Sequence, residues 1–220
     1  MAEPKRKGGV SEQRRARLRL EISREAARLF WAQGVAATSG DQIAAAVGLS
    51  TRTIWRHFRS KEACAEPVVT QGVVTLLSVL RSWPGDVSLE DHLLTGLSRL
   101  REEEPPVSLA DEMLAVRMIR LADTEPALRT AWLMACDQTE RELRTIIGER
   151  LGLETGNLRV RLYAAAAASV VRVLDERIGA AILDGTDLPE FDYKDVRALA
   201  RHYAHAIRTA TDGAIGEPVA

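Results

Sequence analysis

Apolar residues recur at intervals of three and four positions along most of the chain, and no stretch shows the strict alternation of a half-buried strand. Such an interval is the spacing of one face of an α-helix. In the first long segment this face comprises Leu18, Ile22, Ala26, Leu29 and Phe30. The pattern therefore predicts an all-α protein.

Glycine, proline and capping residues divide the chain into about nine predicted helices. The predicted ranges are 12–33, 40–47, 50–58, a fourth helix ending near 83, and then 88–101, 108–122, 124–151, 157–183 and 192–211. Residues from 214 onward form a tail of small residues that is expected to fray. We expect two domains, a head over residues 1–62 and a helical-bundle body over residues 63–220.

Two short predicted helices in the head are joined by a turn at residues 48–50. Ser39 precedes Gln42 by three positions, which is the spacing of a capping box at a helix start. Two short helices joined by a glycine-containing turn match the helix-turn-helix motif, whose second helix enters the major groove of DNA. The second helix here has an apolar inner side and a polar, cationic outer side, as that role requires.

Charge is divided unevenly between the two predicted domains. Residues 1–62 contain 13 Lys and Arg against 6 Asp and Glu, a net charge of +7, whereas residues 63–220 contain 17 basic and 25 acidic residues, a net charge of −8. This division favours a polyanion such as DNA as the partner of the head. The basic arm at residues 5–7 and 14–19 either contacts DNA phosphates or the minor groove, or is a solvated tail.

Residues 26–62 read AARLFWAQGVAATSGDQIAAAVGLSTRTIWRHFRSKE. This stretch resembles the DNA-binding domain of the TetR family of bacterial transcriptional regulators, whose pattern is roughly AxxLFxxxGxxxTSxxxIAxxAGVSxGTxYxHFxSKE. The resemblance implies a helix-turn-helix head followed by a ligand-binding and dimerisation body. The chain departs from the pattern at Val47, Arg52 and Trp55. Just after it, Cys64 takes a place that is usually Leu in the family, and Pro67 falls in the first turns of the fourth helix.

The start of the third predicted helix carries the best candidates for reading base edges. Thr51 and Arg52 project from its first turn, and an arginine can donate two hydrogen bonds to guanine. The resemblance implies contact of Trp55 with thymine methyl groups or sugars, and phosphate contacts for four further residues, namely Ser39, Thr53, His57 and Lys61. Arg56 completes the predicted DNA-binding set as a backbone contact or a surface charge. The serine, histidine and lysine candidates have structural alternatives, as a helix cap, a hydrogen-bonding residue at the core edge and a solvated charge.

The body segment 113–136 is rich in adaptable apolar residues, which suit a cavity for a variable ligand. The predicted ligand-binding set is Leu80, Trp83, Met113, Arg117, Met118, Trp132, Met134 and Cys136. Residues 117–128 (RMIRLADTEPAL) also resemble a stretch in actinobacterial family members that are thought to take acyl-CoA-like ligands. The alternative for each of these side chains is ordinary core packing.

The last two predicted helices are expected to form the interface of a homodimer, because in the family they contribute half of a four-helix interface. The predicted interface set is Ala164, Ala168, Val171, Leu199, Tyr203 and Ile207. A dimer also suits the motif, since two recognition helices related by a twofold axis read two half-sites. Alternatively, the alanines pack inside the subunit.

Catalytic and metal-binding motifs are not found in the sequence: it has no glycine-rich phosphate loop, no HExxH and no nucleophile elbow, and its two cysteines have no ligand partners nearby. We therefore expect no enzyme activity, no cofactor, no metal and no membrane association, with a cytoplasmic location. The predicted function is a homodimeric DNA-binding repressor that a small molecule releases from double-stranded operator DNA. The alternatives are a DNA-binding dimer without an effector and an activator.

Overall fold

The computed structural model describes residues 7–103 and 106–219. Within these ranges the regular elements are nine α-helices and one 3-10 turn (Glu62–Ala65), without strands, which confirms the all-α prediction. The helices are α1 (Lys7–Gln33), α2 (Gly40–Ala46), α3 (Thr51–His57), α4 (Glu66–Leu80), α5 (Leu89–Glu103), α6 (Pro106–Leu121), α7 (Pro126–Leu151), α8 (Leu158–Asp184) and α9 (Val196–Ala210).

Helices α1 to α3 form a small head around one apolar centre. Ile22 and Phe30 of α1, Ile43 of α2 and Ile54 of α3 are fully buried there. Burying side chains of this size stabilises the head by roughly 1.5–3 kcal/mol each. The inner faces of the three helices therefore hold them in a fixed arrangement.

The ends of the short helices follow the predicted capping chemistry. Ser39 Oγ accepts a hydrogen bond from Gln42 N (3.2 Å), and the Gln42 side chain accepts one from Ser39 N (2.7 Å). Ser50 Oγ accepts from Thr53 N at 3.2 Å. Gly48 ends α2 with φ of +66°, a left-handed conformation that glycine adopts without steric cost. These caps fix the turn between α2 and α3 and complete a helix-turn-helix.

Helix α4 is a central element of the body. Pro67 stands in its first turn, where the missing backbone N–H has no partner to lose, so the helix starts normally after the 3-10 turn. Glu62–Leu80 is long and apolar enough to cross a membrane. However, Val68, Val73 and Leu77 are buried in the body, as expected for the core helix of a globular protein.

The C-terminal segment packs against the body, so the expectation of a frayed tail was wrong. Leu89 N donates to the Gly216 carbonyl and Val219 N donates to the Gly85 carbonyl, each over 2.8 Å. Ile215 is 2% exposed. The small residues of the tail suggested disorder, but its backbone forms hydrogen bonds with residues more than a hundred positions away in sequence.

Some helix ends differ from the predicted ranges by a few residues. Helix α1 begins at Lys7, before residue 12, and α4 ends at Leu80, before residue 83. Asp195, and not Asp192, caps α9 by accepting hydrogen bonds from the first backbone N–H groups of that helix. Capping residues close together in sequence compete, and the packing of the helix decides between them.

Two side chains of α1 join the head to the body. Arg24 donates two hydrogen bonds to the carboxylate of Asp111 on α6 (2.7 and 2.6 Å), and Asp111 is only 5% exposed. Ser23 Oγ accepts from Val68 N on α4 at 3.0 Å. Helix α1 is therefore bound to both α4 and α6.

Candidate DNA-binding surface and ligand cavity

Helix α3 presents a cationic and aromatic outer side because its inner side is held by the head core. Ile54 is fully buried and Phe58, at the C-cap, is 5% exposed, whereas Trp55 is 44% exposed. Arg52 and Arg56 are exposed. The structure thus places Arg52, Trp55 and Arg56 on the solvent side of one short helix, as a DNA-reading helix requires.

Two contacts with α2 position the predicted base-reading residues. Thr51 Oγ1 donates a hydrogen bond to Asp41 over 2.5 Å. The Trp55 ring lies directly over Gly40, where a Cβ atom would come within 2.2 Å of a ring carbon. Glycine is therefore required at position 40 for this placement of Trp55, although its φ is not in the left-handed region.

The residues predicted to contact phosphates have different environments. Ser39 is occupied as the N-cap of α2, and the Thr53 hydroxyl lies 2.8 Å from Ser50 Oγ. Lys61 donates to the carbonyls of Val35 (2.7 Å) and Thr38 (2.8 Å) in the turn after α1. The Lys61 ammonium therefore supports this turn in the structure, an arrangement that differs from the solvated lysine considered from sequence.

His57 lies at the end of α3 with a buried imidazole nitrogen. Its Nδ1 has no hydrogen-bond partner among the described residues, and its backbone carbonyl accepts from Arg19. Burial, followed by the charges of Arg15, Arg19 and Arg56, lowers the pKa of His57. The lowered pKa favours the neutral imidazole, and the contact of His57 with a phosphate stays a prediction.

Arginines of α1 and of the segment after α3 extend the cationic surface. Arg14, Arg15 and Arg17 are exposed, whereas Arg59 pairs with Glu66 at 3.0 Å. The predicted basic residues 5 and 6 lie outside the described residues. The positive charge of the head is thus carried by α3 and by the exposed side of α1.

The body contains a partly open apolar cavity of about 240 Å³ between α4, α5, α6, α7, α8 and α9. Its lining residues are mostly aliphatic, with Trp132 and Tyr203 as the aromatic members, and they are Val69, Val73, Leu76, Leu93, Leu97, Glu112, Ala115, Val116, Ile119, Trp132, Asp175, Ile178, Gly179, Leu199 and Tyr203. Gly179 widens it, since a Cβ there would lie 3.3 Å from the Val116 side chain. A largely apolar cavity with a few polar groups is typical of a small-molecule site.

The predicted ligand-binding residues are not brought together in this cavity. Trp132 lines it, but Met118 is fully buried in the core and Met134 is 58% exposed. Met113 and Cys136 are partly buried without lining it. Burial raises the pKa of the Cys136 thiol to about 12, so this thiol is protonated and unreactive.

The remaining three members of the predicted ligand set lie elsewhere. Leu80 and Trp83 border a separate surface depression, where the Arg150 guanidinium stacks 3.5 Å from the Trp83 ring. Arg117 lies 5.4 Å from the ring of Trp31 on α1, at the contact between head and body. Arg117 was assigned to ligand binding because it stands among adaptable residues in sequence, and helix geometry turns it toward α1 instead.

Sequence reasoning missed two acidic residues of the cavity wall, Glu112 and Asp175. Asp175 accepts a hydrogen bond from the Tyr203 hydroxyl at 2.5 Å. Burial raises the pKa of Asp175 to about 6, although the bond from Tyr203 acts in the opposite direction. A carboxylate on the apolar face of α8, four residues after the buried Val171, was the available signal, since burying such a group is costly unless it has a partner or a function.

The predicted dimer residues pack inside the subunit, which is the alternative that the sequence left open for the alanines. Ala164 and Val171 of α8 and Tyr203 and Ile207 of α9 are at most 8% exposed, and Ala168 is 7% exposed. Leu199 lines the cavity. The opposite side of α8 carries the exposed apolar residues Leu158 (67%), Leu162 (59%) and Val173 (52%), because helical spacing alone does not show which apolar face of a helix points inward.

Among the described residues there is no group of three or more His, Cys, Asp or Glu side chains arranged to hold a metal ion.

Residues 22–68 match the model of a family of bacterial regulatory proteins, the tetR family. HTH-type transcriptional regulator TcmR of Streptomyces glaucescens is 32% identical over 171 residues, which cover 76% of this chain and 75% of that protein. Similar solved structures include Salmonella enterica GusR, with a TM-score of 0.53 and 20% identity over 90% of this chain and 94% of that chain. Another is FadR of Thermus thermophilus, a transcriptional repressor in complex with lauroyl-CoA, with a TM-score of 0.53 and 20% identity over 89% and 94% of the two chains. At these identities the solved structures show the fold alone.

Proposed function

The chain belongs to the TetR family of bacterial regulatory proteins, and on this basis we propose that it is a homodimeric repressor that a small molecule releases from its operator. In this proposal residues 1–62 bind DNA and residues 63–220 bind the effector and a second subunit. The observation that carries the DNA-binding part is the outer side of α3, where Arg52 and the 44%-exposed Trp55 stand on a helix locked from behind by Ile54.

A mobility shift on DNA from around its own gene tests the DNA-binding part. The Arg52→Ala and Trp55→Ala variants each remove a proposed base or groove contact, and we expect each to weaken operator binding by about tenfold or more. Arg197→Ala is the matched control, because Arg197 is an exposed arginine of α9. Operator affinity that is unchanged in both α3 variants would show that DNA is read by another surface.

Release by a ligand is supported by the position of the cavity relative to the head. Helices α4 and α6 supply cavity walls, through residues such as Val69 and Val116. The same two helices hold α1 through Val68 and Asp111. A ligand that binds more tightly to the released arrangement would shift the population away from the DNA-binding one. Filling the cavity therefore acts on the helices that position the head.

Filling the cavity by mutation tests this link without knowledge of the ligand. Val116→Trp places a large side chain beside Gly179, and we expect weaker operator binding by a protein that is still folded and dimeric. Met134→Trp is the control, since Met134 is 58% exposed on the neighbouring α7. If a cavity-filled, folded protein binds its operator as the wild type does, the body acts only in dimerisation.

The outer face of α8 is the proposed dimer surface. Leu158, Leu162 and Val173 are separated by four and eleven residues and therefore share one helix face, and each is more than half exposed. The partly buried Ala165 and Ala166 lie between them in sequence, and small residues let a second helix approach closely. A second copy of the chain would cover this face by twofold symmetry.

Analytical ultracentrifugation of Leu162→Glu tests this surface. We expect a monomer, because a charge would be buried at the centre of the interface. Val219→Glu, at an exposed apolar residue near the C-terminus, is expected to remain dimeric. A Leu162→Glu protein that stays dimeric would place the interface elsewhere.

A further inference from the structure

One side of the body cavity is built from hydrogen-bond acceptors. The Tyr203 hydroxyl donates to Oδ1 of Asp175, and both residues line the cavity. The single donor on this side is thereby used within the protein, and nothing in the described part of the chain donates to Oδ2 of Asp175. Oδ2 and the lone pairs of the Tyr203 oxygen are therefore available to accept hydrogen bonds from a ligand.

The charge on the cavity wall is negative. Asp175 lies on the wall, and the lining residues that the structure describes include no Lys, Arg or His. The nearby arginines Arg129 and Arg172 both pair with Glu176, at 2.7 and 3.1 Å. Burial without a cationic partner raises the pKa of Asp175 to about 6, so most of this carboxyl is ionised at neutral pH. A ligand cation would compensate this charge.

The remaining walls suit a rigid apolar group. The cavity holds about 240 Å³, whereas a dry apolar cavity of roughly 150 Å³ accepts benzene. A bicyclic aromatic group therefore fits. Trp132 donates its indole N–H to Glu176 at 2.8 Å, so its contribution to the cavity is the apolar part of the ring.

We infer that the effector is a lipophilic molecule with a hydrogen-bond donor and no negative charge, and that a protonated amine is the best match to the Asp175 side of the cavity. This inference rests on the proposed effector function and names the ligand class of that site. It differs from the acyl-CoA-like ligand expected from sequence, because a fatty acid or acyl-CoA would bring further negative charge to a wall that already carries the buried Asp175 carboxyl.

A matched series of probe ligands tests whether the cavity prefers an amine to a carboxylate. 1-Naphthylmethylamine, 1-naphthol and 1-naphthoate share one ring system and differ only in the polar group. Calorimetric titration of the protein near neutral pH should show that the amine and the naphthol each bind at least about tenfold more tightly than the naphthoate, a difference within the range of hydrogen bonds to charged groups.

Variants of the cavity wall test whether Asp175 is the residue that favours the amine. Asp175→Asn keeps an oxygen acceptor for Tyr203 but removes the charge, so the amine should lose about tenfold in affinity while the naphthol changes little. Glu142→Gln is the control with the same change of charge, because Glu142 pairs with Arg81 (2.9 Å) at the surface, away from the cavity lining. Thermal unfolding of each variant shows that it is folded.

Three results would overturn the inference: naphthoate binding as well as the amine, an amine affinity that is unchanged in Asp175→Asn, or no binding of any probe to a cavity that fits their common ring. Operator release by the same probes separates this inference from the proposed function. Naphthoate that binds best and releases the operator would disprove the ligand class and support the effector function. An amine that binds best without changing operator affinity would support the ligand class and disprove release.

Discussion

The position of Trp55 on the DNA-binding surface depends on the absence of a side chain at residue 40. The ring carbons of Trp55 would lie 2.2 and 2.7 Å from a Cβ atom of that residue, distances that non-bonded carbon atoms do not reach. The indole is 44% exposed, so it can turn away from α2 when it is displaced. A substitution at Gly40 should therefore alter DNA recognition without unfolding the head.

We expect Gly40→Ala to weaken operator binding about as much as Trp55→Ala does, because both remove the ring from its place. The melting temperature should change little, since alanine suits a helix better than glycine does. Gly156→Ala is the matched control, because a Cβ atom at that glycine meets nothing within 4 Å. Fluorescence anisotropy with labelled operator measures the affinities, and an unaffected Gly40→Ala protein would show that the ring position does not matter for binding.

The titration of Asp175 should be visible in the stability of the protein. Its pKa is raised from 3.8 to about 6 by burial, so the fold favours the protonated form. The resulting stabilisation is complete below about pH 4 and is lost as the pH rises through 6. Asp175→Asn should therefore become more stable than the wild type as the pH increases, by on the order of 2 kcal/mol at pH 8. Chemical unfolding across this pH range measures the difference, and a difference that does not vary with pH would contradict the raised pKa.

At the level of helices, the joint between head and body includes a bidentate ion pair between Arg24 of α1 and Asp111 of α6. The Arg24 side chain is 23% exposed and that of Asp111 is 7% exposed, and the hydrogen bond from Arg24 to Asp111 raises the pKa of Arg24. A partly buried bidentate ion pair contributes more to the free energy of folding than an exposed pair does, because water screens its charges less. The pair thus holds α1 against α6 while α6 also lines the cavity.

A double-mutant cycle with Arg24→Gln and Asp111→Asn should give a coupling free energy on the order of 1–3 kcal/mol. Arg81→Gln and Glu142→Gln form the control cycle, since their side chains are 50% and 31% exposed, and exposed pairs contribute roughly 0–1 kcal/mol. Urea unfolding supplies the free energies. Equal coupling in the two cycles would mean that burial adds nothing at the joint.

The C-terminal segment is ordered by contacts with residues that are distant in sequence. Ile215 is 2% exposed, and the tail is bonded to Leu89 and Gly85. We expect Ile215→Ala to cost about 2–4 kcal/mol of unfolding free energy. Val219→Ala should cost far less, because the Val219 side chain is 40% exposed. Similar melting temperatures for the two variants would mean that the tail is frayed in solution after all.

For the whole molecule, the separation of charge should govern how DNA binding depends on salt. The head carries +7 and the body −8, and each neutralised phosphate releases counterions. Operator affinity should therefore fall by about three orders of magnitude between 50 and 200 mM salt. Replacing Lys5, Arg6 and Lys7 with alanine should reduce the slope if this arm contacts DNA. Salt titrations of operator affinity for the wild type and for this variant test the contact. Equal slopes for the two proteins would show that the arm stays in solvent.

The head could be predicted closely from sequence because its information is local. Capping residues such as Ser39 and Ser50 act on backbone groups within three positions, and Gly48 takes the positive φ that its turn requires. The exposure of Arg52 and Trp55 also follows from helical spacing around one buried residue, Ile54. Lys61 was the exception, because the carbonyls that hold it belong to a turn more than twenty residues earlier in the chain.

By itself, the sequence determined the helical class, the helix-turn-helix and the distribution of charge, since each depends on residue type and short-range spacing. Only the tertiary structure decided which face of α8 is buried, where Arg117 points, and that Asp175, Tyr203 and Glu112 meet in one cavity. A helix in the body has apolar residues on more than one side, and its own sequence does not say which neighbours will cover them. The cavity exists between six helices, so its chemistry becomes visible only after these helices have packed together.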